Sequence, residues 1–219
     1  MSYREAIQLN NQATSLLESK RFDEAILVAC AAMEVFQKQT PTAEKVSLCG
    51  NDFVDQCMLS RHRDCDCDSN TMDEEYTYEH GIVLPLNTMD GTVITPVLIF
   101  NCALSHHLAA RHCNDHAICS QHFLNKAQRL YTLAYDQQDQ DQNMIFQAVI
   151  VDNIGVIRKI LGNEEEAQAC FEHLTSMLMM MIYCTEDDSC LGENKYRQHV
   201  QGFFWMNILE NQRSLAPAA

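Results

Sequence analysis

Residues 148–183, AVIVDNIGVIRKILGNEEEAQACFEHLTSMLMMMIY, decide the fold because two helical patterns meet there at a short polar break. On each side of the break, apolar and small residues recur at three- and four-residue steps, which marks one face of a helix. Gly162 suits the left-handed residue that follows a helix end. Residues 164–166 are glutamates, which offset the dipole of the next helix at its first turn. The stretch predicts a helix–turn–helix hairpin with Gly155 and Ala167 at a close crossing.

The same pattern occurs in two more stretches, each with a small residue on the first helix and another on the second. The paired small residues are 12 positions apart in the outer copies and 24 apart in the middle copy. The 12 extra residues of the middle copy must either lengthen one helix or form a bulge at the turn. Repetition of this kind predicts stacked helix pairs. The units are residues 2–37, 97–137 and 143–184, with the pairs Ala13 and Ala25, Ala103 and Ala127, and Gly155 and Ala167.

Residues 42–96 interrupt the repeats as an insertion. Tyr76, Tyr78, Ile82 and Leu84 alternate with other residues, and the β-branched run 92–95 follows Asp90-Gly91. Alternation on both sides of a turn dipeptide predicts a small β-hairpin. Near the other end, residues 196–210 form an aromatic-rich amphipathic pattern, which suits a helix that caps a repeat stack. The fold class is therefore mainly all-α, a single domain over residues 1–219 with about seven helices.

Composition limits the classes of partner. Fifteen basic and 30 acidic residues give a net charge of −15, which repels phosphate backbones and anionic lipid. Nucleic acid and membranes are therefore not expected as partners, and proteins or peptides are. The N-terminal residues lack the basic-then-apolar layout of a signal peptide, so we expect the 11 cysteines to be reduced thiols in a cytoplasmic or nuclear protein.

The triplets 11–13, 101–103 and 153–155 each begin with asparagine, end in a small residue and are followed by an aligned alanine, Ala25, Ala127 or Ala167. This pattern resembles the tetratricopeptide repeat. More narrowly, several stretches resemble a large group of diatom repeat proteins of no known activity. The resemblance implies a right-handed stack of helix hairpins with a concave peptide-binding surface lined by the first helices. The residues that carry it are the triplets 11–13, 101–103 and 153–155 and the stretches FNCALSHHLAARH (100–112), LNKAQRLYTLAY (124–135) and DNIGVIRKILGNEEEAQACFEHL (152–174).

Asn11, Asn101 and Asn153 each lie two residues before the small crossing residue of their unit. In the repeat family this position faces the groove, where a carboxamide can offer a donor and an acceptor to a bound backbone. The alternative is an amide that caps a helix or satisfies a polar group in the core. We expect these asparagines to hold an extended basic or apolar segment. Alanine at Asn101 and Asn153 should then weaken partner binding and leave thermal stability nearly unchanged.

The sequence between residues 106 and 122 is rich in histidine and cysteine, and it supports a second hypothesis. His112, His116 and Cys119 recur at one-turn steps, so a helix could aim them at one metal ion. Polar or reduced side chains on an inserted helix explain the pattern as well. The alternative function is therefore a metal- or redox-responsive regulator, although we predict no cofactor for this chain.

We also searched the sequence for a calcium-binding loop and for catalytic motifs. An acidic stretch copies most ligand offsets of a calcium loop, but Ser69 stands where that loop requires glycine. No phosphate-binding loop or nucleophile elbow occurs, so we expect a non-catalytic protein. The predicted function is protein–protein binding or scaffolding. The residues at the ligand offsets are Asp64, Asp66, Asp68, Asn70 and Glu75.

Overall fold

The computed structural model describes residues 3–39, 78–112, 117–138 and 143–183, with the side chains of residues 117–119, 182 and 183 left out. Six helices and no strand lie in these ranges, so the mainly all-α prediction is confirmed. The predicted capping helix 196–210 and the first part of the insertion, residues 42–77, lie outside the described residues. The helices are α1 (Arg4–Glu18), α2 (Phe22–Gln39), α3 (Gly91–His112), α4 (Ala117–Asp136), α5 (Met144–Ile160) and α6 (Glu164–Tyr183).

The chain divides into two compact units where the sequence analysis expects one domain. In the first unit, α2 packs against α1 and α3, and α3 packs against α4. Residues 79–90, which precede α3, belong to this unit. The second unit contains Tyr78 together with α5 and α6, which pack against each other.

The turn between α5 and α6 has the hydrogen bonds of a Schellman motif. The N–H of Gly162 donates to the carbonyl of Lys159 at 3.0 Å, and the N–H of Asn163 donates to the carbonyl of Arg158 at 2.9 Å. Gly162 has a φ of 78°, so the predicted left-handed glycine is confirmed. The motif satisfies carbonyls that the end of α5 would leave without partners.

The turn between α1 and α2 repeats this scheme. Lys20 donates to the carbonyl of Leu17 at 2.9 Å, and Arg21 donates to that of Leu16 at 2.9 Å. Each of these four residues lies 142 positions before its counterpart in the α5–α6 turn. Lys20 has a φ of 58°, which is left-handed like Gly162 but costly for a side chain that carries a Cβ.

The crossing of α5 and α6 is close at Gly155. A Cβ on this glycine would lie 2.9 Å from the ring of Phe171 and 3.2 Å from the Cβ of Cys170. Ala167 is 3% exposed. The predicted close approach at Gly155 is therefore confirmed, and the missing side chain is what permits it.

Helix α3 forms the core of the first unit. The predicted β-hairpin is wrong, because its second strand is part of this helix. The run 92–95, predicted as a strand, is the start of α3, and Ile94 is 0% exposed. Asp90 Oδ1 accepts hydrogen bonds from the Thr92 N–H at 2.9 Å and from the Thr92 hydroxyl at 2.6 Å. Asp90 therefore begins a helix instead of turning a hairpin. Val93 and Ile94 can be buried in a strand or in a helix, so the residue types of this run did not decide between the two conformations.

The surplus residues of the middle copy lengthen both of its helices. Helix α3 continues nine residues beyond Ala103, whereas α1 and α5 continue five residues beyond Ala13 and Gly155. Helix α4 begins ten residues before Ala127, whereas α2 and α6 begin three residues before Ala25 and Ala167. By length and composition α3 could also span a bilayer, but 94% of its apolar window is buried inside the protein. Core helices of this kind meet the same criterion.

The two equivalent turns give a paired test of the left-handed position. Lys20→Gly should raise the free energy of unfolding by about 1 kcal/mol, because glycine adopts this φ without the Cβ clash. Gly162→Lys should lower it by a similar amount. Urea unfolding followed by circular dichroism measures both changes. Ser19→Gly is the control, because Ser19 has a φ of −83° and should gain nothing from glycine. No gain from Lys20→Gly would contradict the equivalence of the turns.

Candidate functional site: asparagines that bind a main chain

An internal segment, residues 78–84, runs without helical or strand hydrogen bonds ahead of α3. Tyr78, Ile82 and Leu84 are buried, with exposed fractions of 4%, 1% and 1%. Buried N–H and C=O groups need partners because water is excluded from them. At Tyr78, Ile82 and Leu84, asparagine side chains supply partners.

Asn101 of α3 binds both main-chain groups of Ile82. Its Oδ1 accepts from the Ile82 N–H at 2.8 Å, and its Nδ2 donates to the Ile82 carbonyl at 2.8 Å. The same Nδ2 donates to Asn10 Oδ1 at 2.8 Å. Asn10 in turn donates to the Ile82 carbonyl at 3.0 Å. Both asparagines are buried, so these bonds form away from water.

Asn11 of α1 binds Leu84 in the same way. Its Oδ1 accepts from the Leu84 N–H at 2.9 Å, and its Nδ2 donates to the Leu84 carbonyl at 2.7 Å. A 3.2 Å bond from Asn10 Nδ2 to Asn11 Oδ1 joins the two contacts into one network. We call Asn10, Asn11 and Asn101 the asparagine site.

Asn153 makes the corresponding contact in the second unit. Its Oδ1 accepts from the Tyr78 N–H at 3.1 Å, and its Nδ2 lies 3.4 Å from the Tyr78 carbonyl. The residue is 0% exposed. The three asparagines singled out from the sequence thus share one chemical role, in which a carboxamide pairs with the N–H and C=O of a single residue.

Each of these contacts joins the asparagine to the chain's own backbone. The sequence indicated a bound segment but did not indicate that residues 78–84 would occupy this position. Asn10 was missed, because it precedes the repeated position and has no counterpart in the small-residue pattern. Its sequence neighbour Asn11 was the only available signal.

Gly81 allows the internal segment to lie close to α1. A Cβ on Gly81 would be 2.7 Å from Thr14 Cγ2, which is closer than real contacts permit. Thr14 is itself fixed, since its hydroxyl donates to the Asn11 carbonyl at 2.8 Å. A side chain at position 81 would therefore push the segment away from the asparagines.

A salt bridge also joins Glu79 of the segment to α3 within the first unit. Arg111 Nη1 of α3 lies 2.5 Å from Glu79 Oε1. Glu79 is exposed, with 48% of its side chain accessible. Exposed ion pairs contribute little to stability, so the asparagines rather than this pair hold the segment.

The proposed metal ligands are only partly within the described residues. His112 is exposed, and its Nδ1 lies 3.0 Å from the carbonyl of Leu108. His116 and the side chain of Cys119 lie outside the described part of the chain, as does the acidic stretch 64–75. Among the described residues, no group of three or more His, Cys, Asp or Glu side chains is placed to hold a metal ion.

His106 and His107 differ in their surroundings although they are adjacent on α3. His106 Nδ1 lies 2.8 Å from the carbonyl of Cys102, and burial lowers the pKa of the His106 ring. His107 is 0% exposed, and neither of its ring nitrogens has a hydrogen-bond partner among the described residues. Burial, and then the charge of Arg111, lowers the pKa of His107 to about 3. His107 is therefore neutral in the folded protein at neutral pH.

Asn101→Ala tests whether the asparagine site holds the fold together. The change leaves the Ile82 N–H and Asn10 Oδ1 without these partners in a buried place, at a cost of about 1–3 kcal/mol each. We therefore expect a clear loss of unfolding free energy, which revises the sequence-based expectation of unchanged stability. Urea titration measures the loss. Asn125→Ala, at an exposed position of α4, is the matched control. A change below about 0.5 kcal/mol for Asn101→Ala would contradict a structural role.

His107 predicts a pH dependence of stability. The unfolded ring has a pKa of about 6.5 and the folded ring about 3, so between these values only the unfolded chain binds the proton. The free energy of unfolding should fall as pH drops below about 6.5, and above it the contribution is fully present. His107→Leu should remove the part of this slope that His107 causes and leave the part that the buried His106 causes. It should cost little at pH 7, because no hydrogen-bond partner among the described residues is lost. Unfolding titrations at pH 7 and pH 5 measure it. His122→Leu, at an exposed site on α4, should keep the slope.

Comparison with known proteins assigns no family to this chain. The chain matches no protein-family model, no curated protein and no solved structure. The likeness to tetratricopeptide repeats stays a prediction from sequence, and the function is argued from the asparagine contacts themselves.

Proposed function

We propose that the chain is a non-catalytic interaction module that binds an extended peptide segment through its asparagine site. The observation that carries the proposal is the two-point contact of one carboxamide with one residue, seen between Asn101 and Ile82 and between Asn11 and Leu84. Such a contact recognises extended main chain whatever the side chain of the bound residue. Peptide-binding domains that add a strand to a sheet edge obtain affinity in the same way, from backbone hydrogen bonds.

The internal segment serves as a template for the partner. Ile82 and Leu84 are buried, while Val83 between them is half-buried. Gly81 precedes them at the close approach to Thr14. A competing segment of the same shape has a glycine followed by aliphatic residues at alternate positions. Side-chain pockets then supply the selectivity that backbone contacts lack.

The net charge of the chain limits which side chains the bound segment can carry. At −15, the protein attracts basic segments and repels acidic ones, nucleic acid and anionic lipid. The partner is therefore a basic or apolar protein segment, met in the cytoplasm or the nucleus, where the thiols stay reduced.

A repeat architecture is part of the proposal. The α1–α2 and α5–α6 turns have the same hydrogen bonds at positions 142 residues apart, and Asn11 and Asn153 are separated by the same interval. This correspondence supports two copies of one helix hairpin. A right-handed stack of such hairpins, similar to tetratricopeptide repeats, would expose first helices to a bound segment.

The internal segment competes with external peptides for the asparagine site. Because it is tethered to the site, its effective concentration is on the order of millimolar, far above that of a free peptide. External segments therefore bind well only when the internal segment is weakened or displaced. The same contacts that complete the fold also keep the module closed.

A peptide added in trans tests this function. The probe is a fluorescent peptide of residues 76–88, YTYEHGIVLPLNT, and its anisotropy reports binding. Wild-type protein should bind it weakly. Gly81→Val should bind it at least about tenfold more tightly, because the clash with Thr14 releases the internal segment. Ile82→Ala, which removes an anchor without adding a clash, should act in the same direction.

Two controls make the result specific. Adding Asn101→Ala to the Gly81→Val protein should abolish peptide binding, whereas Asn125→Ala should not. A scrambled peptide should not bind to any variant. Circular dichroism identifies the variants that remain helical. Failure of helical Gly81→Val and Ile82→Ala proteins to bind the peptide would refute the proposed function.

A further inference from the structure

Two cysteines from different helices of the first unit are in contact. Cys30 of α2 and Cys102 of α3 are 72 residues apart in sequence, and their sulfurs are 3.8 Å apart. Both are free thiols. A disulfide bond is about 2.05 Å long, so the sulfurs need to approach by just under 2 Å to bond. No local pattern pointed to this pairing, because the two cysteines are 72 residues apart and both lie outside the His/Cys-rich stretch 106–122.

The two thiols differ in access. Cys102 is 0% exposed and packs with Ala13 and Ala29 in a buried cluster, against which Cys30 is partly buried. Cys30 is accessible enough to meet a small oxidant, and Cys102 lies behind it. A reactive outer thiol with a second thiol in contact is the arrangement of a sensor cysteine with its resolving partner.

The charges around the pair favour reaction at the outer thiol. The hydrogen bond from Cys102, helped by the positive charge of Lys126, lowers the pKa of Cys30 to about 6, against the opposing effects of burial and Glu34. The same contact, together with burial, raises the pKa of Cys102. Of the two thiols, Cys30 therefore loses its proton more readily, and the thiolate is the form that attacks oxidants.

We propose that Cys30 and Cys102 form a redox-active dithiol, which a peroxide converts into a disulfide between α2 and α3. The Cys30 thiolate attacks one peroxide oxygen, so an S–O bond forms, the O–O bond breaks, and the leaving hydroxide takes a proton to become water. Cys102 Sγ then attacks the Cys30 sulfenic acid. The S–S bond forms, the S–O bond breaks, and hydroxide leaves with the Cys102 proton as a second water. Two thiols are oxidised, and one hydrogen peroxide is reduced to two waters.

This site is independent of the proposed peptide binding, although the two are neighbours in the chain. Cys102 directly follows Asn101, which holds Ile82. Cys170 provides a comparison within the same chain. It is also a buried free thiol, but its sulfur lies 3.1 Å from Arg158 Nη1, and no cysteine of the described residues pairs with it.

Mapping of thiols after oxidation tests the proposal. The full chain is treated with equimolar hydrogen peroxide, and the remaining thiols are blocked with N-ethylmaleimide at intervals. Digestion uses trypsin and chymotrypsin, since residues 64–110 contain no Lys or Arg and trypsin alone leaves Cys102 with Cys65 and Cys67. Mass spectrometry should find a Cys30–Cys102 peptide that dithiothreitol separates. Cys170 should not be oxidised, so it should be found modified by N-ethylmaleimide.

Two serine variants separate the steps. In Cys102→Ser, Cys30 should stop at the sulfenic acid, which dimedone captures. In Cys30→Ser, Cys102 should stay a thiol, because peroxide does not reach it. The wild-type result does not depend on the folding of either variant. Accumulation of dimedone-reactive Cys30 in the wild type without the linked peptide, or linkage of Cys30 to a different cysteine, would overturn the proposal.

Discussion

The pairing of side-chain carboxamides with the main chain of residues 78–84 is the contact on which the described structure depends. An extended segment buried beside helices has no sheet to satisfy its N–H and C=O groups, and unpaired groups of this kind cost about 1–3 kcal/mol each. Asn101 and Asn11 supply both partners at Ile82 and Leu84. The segment can therefore bury its aliphatic side chains against helices that have no free backbone groups to offer.

The same constraint explains the polar residues of α3. This helix is buried along nearly its whole length, yet it carries Asn101, Ser105 and two histidines among its buried residues. Ser105 donates to the carbonyl of Asn101 at 2.7 Å, and Asn101 binds the internal segment. His107 is the exception, because burial keeps its ring neutral and unpaired among the described residues. A helix this apolar remains specific in its packing because most of its few polar groups have only one satisfactory arrangement.

A contact made by backbone hydrogen bonds is suited to exchange. Side-chain packing is particular to one sequence, whereas a carboxamide accepts any extended residue with a free N–H and C=O. In the internal segment, selectivity for shape comes from Gly81, which lies close to Thr14, and from the buried side chains of Ile82 and Leu84. A site of this kind can complete its own fold with a tethered segment and still be open to another chain of the same pattern.

The sequence by itself determined the features that depend on local spacing. Three- and four-residue apolar steps predicted the helix pair around residues 148–183, the left-handed Gly162 and the close crossing at Gly155, because these follow from the geometry of one helix and its end. The repeat also singled out Asn11, Asn101 and Asn153 as equivalent positions.

Tertiary structure decided what these positions contact, because each contact joins residues far apart in the chain. Asn10 and Ile82 are 72 residues apart, as are Cys30 and Cys102, and no local pattern encodes either pairing. Tertiary context also reversed the interpretation of residues 90–95, where Asp90 caps a helix and Ile94 is buried in it. An aspartate before glycine can turn a hairpin or begin a helix, and burial of Val93 and Ile94 within the first unit accompanies the helix.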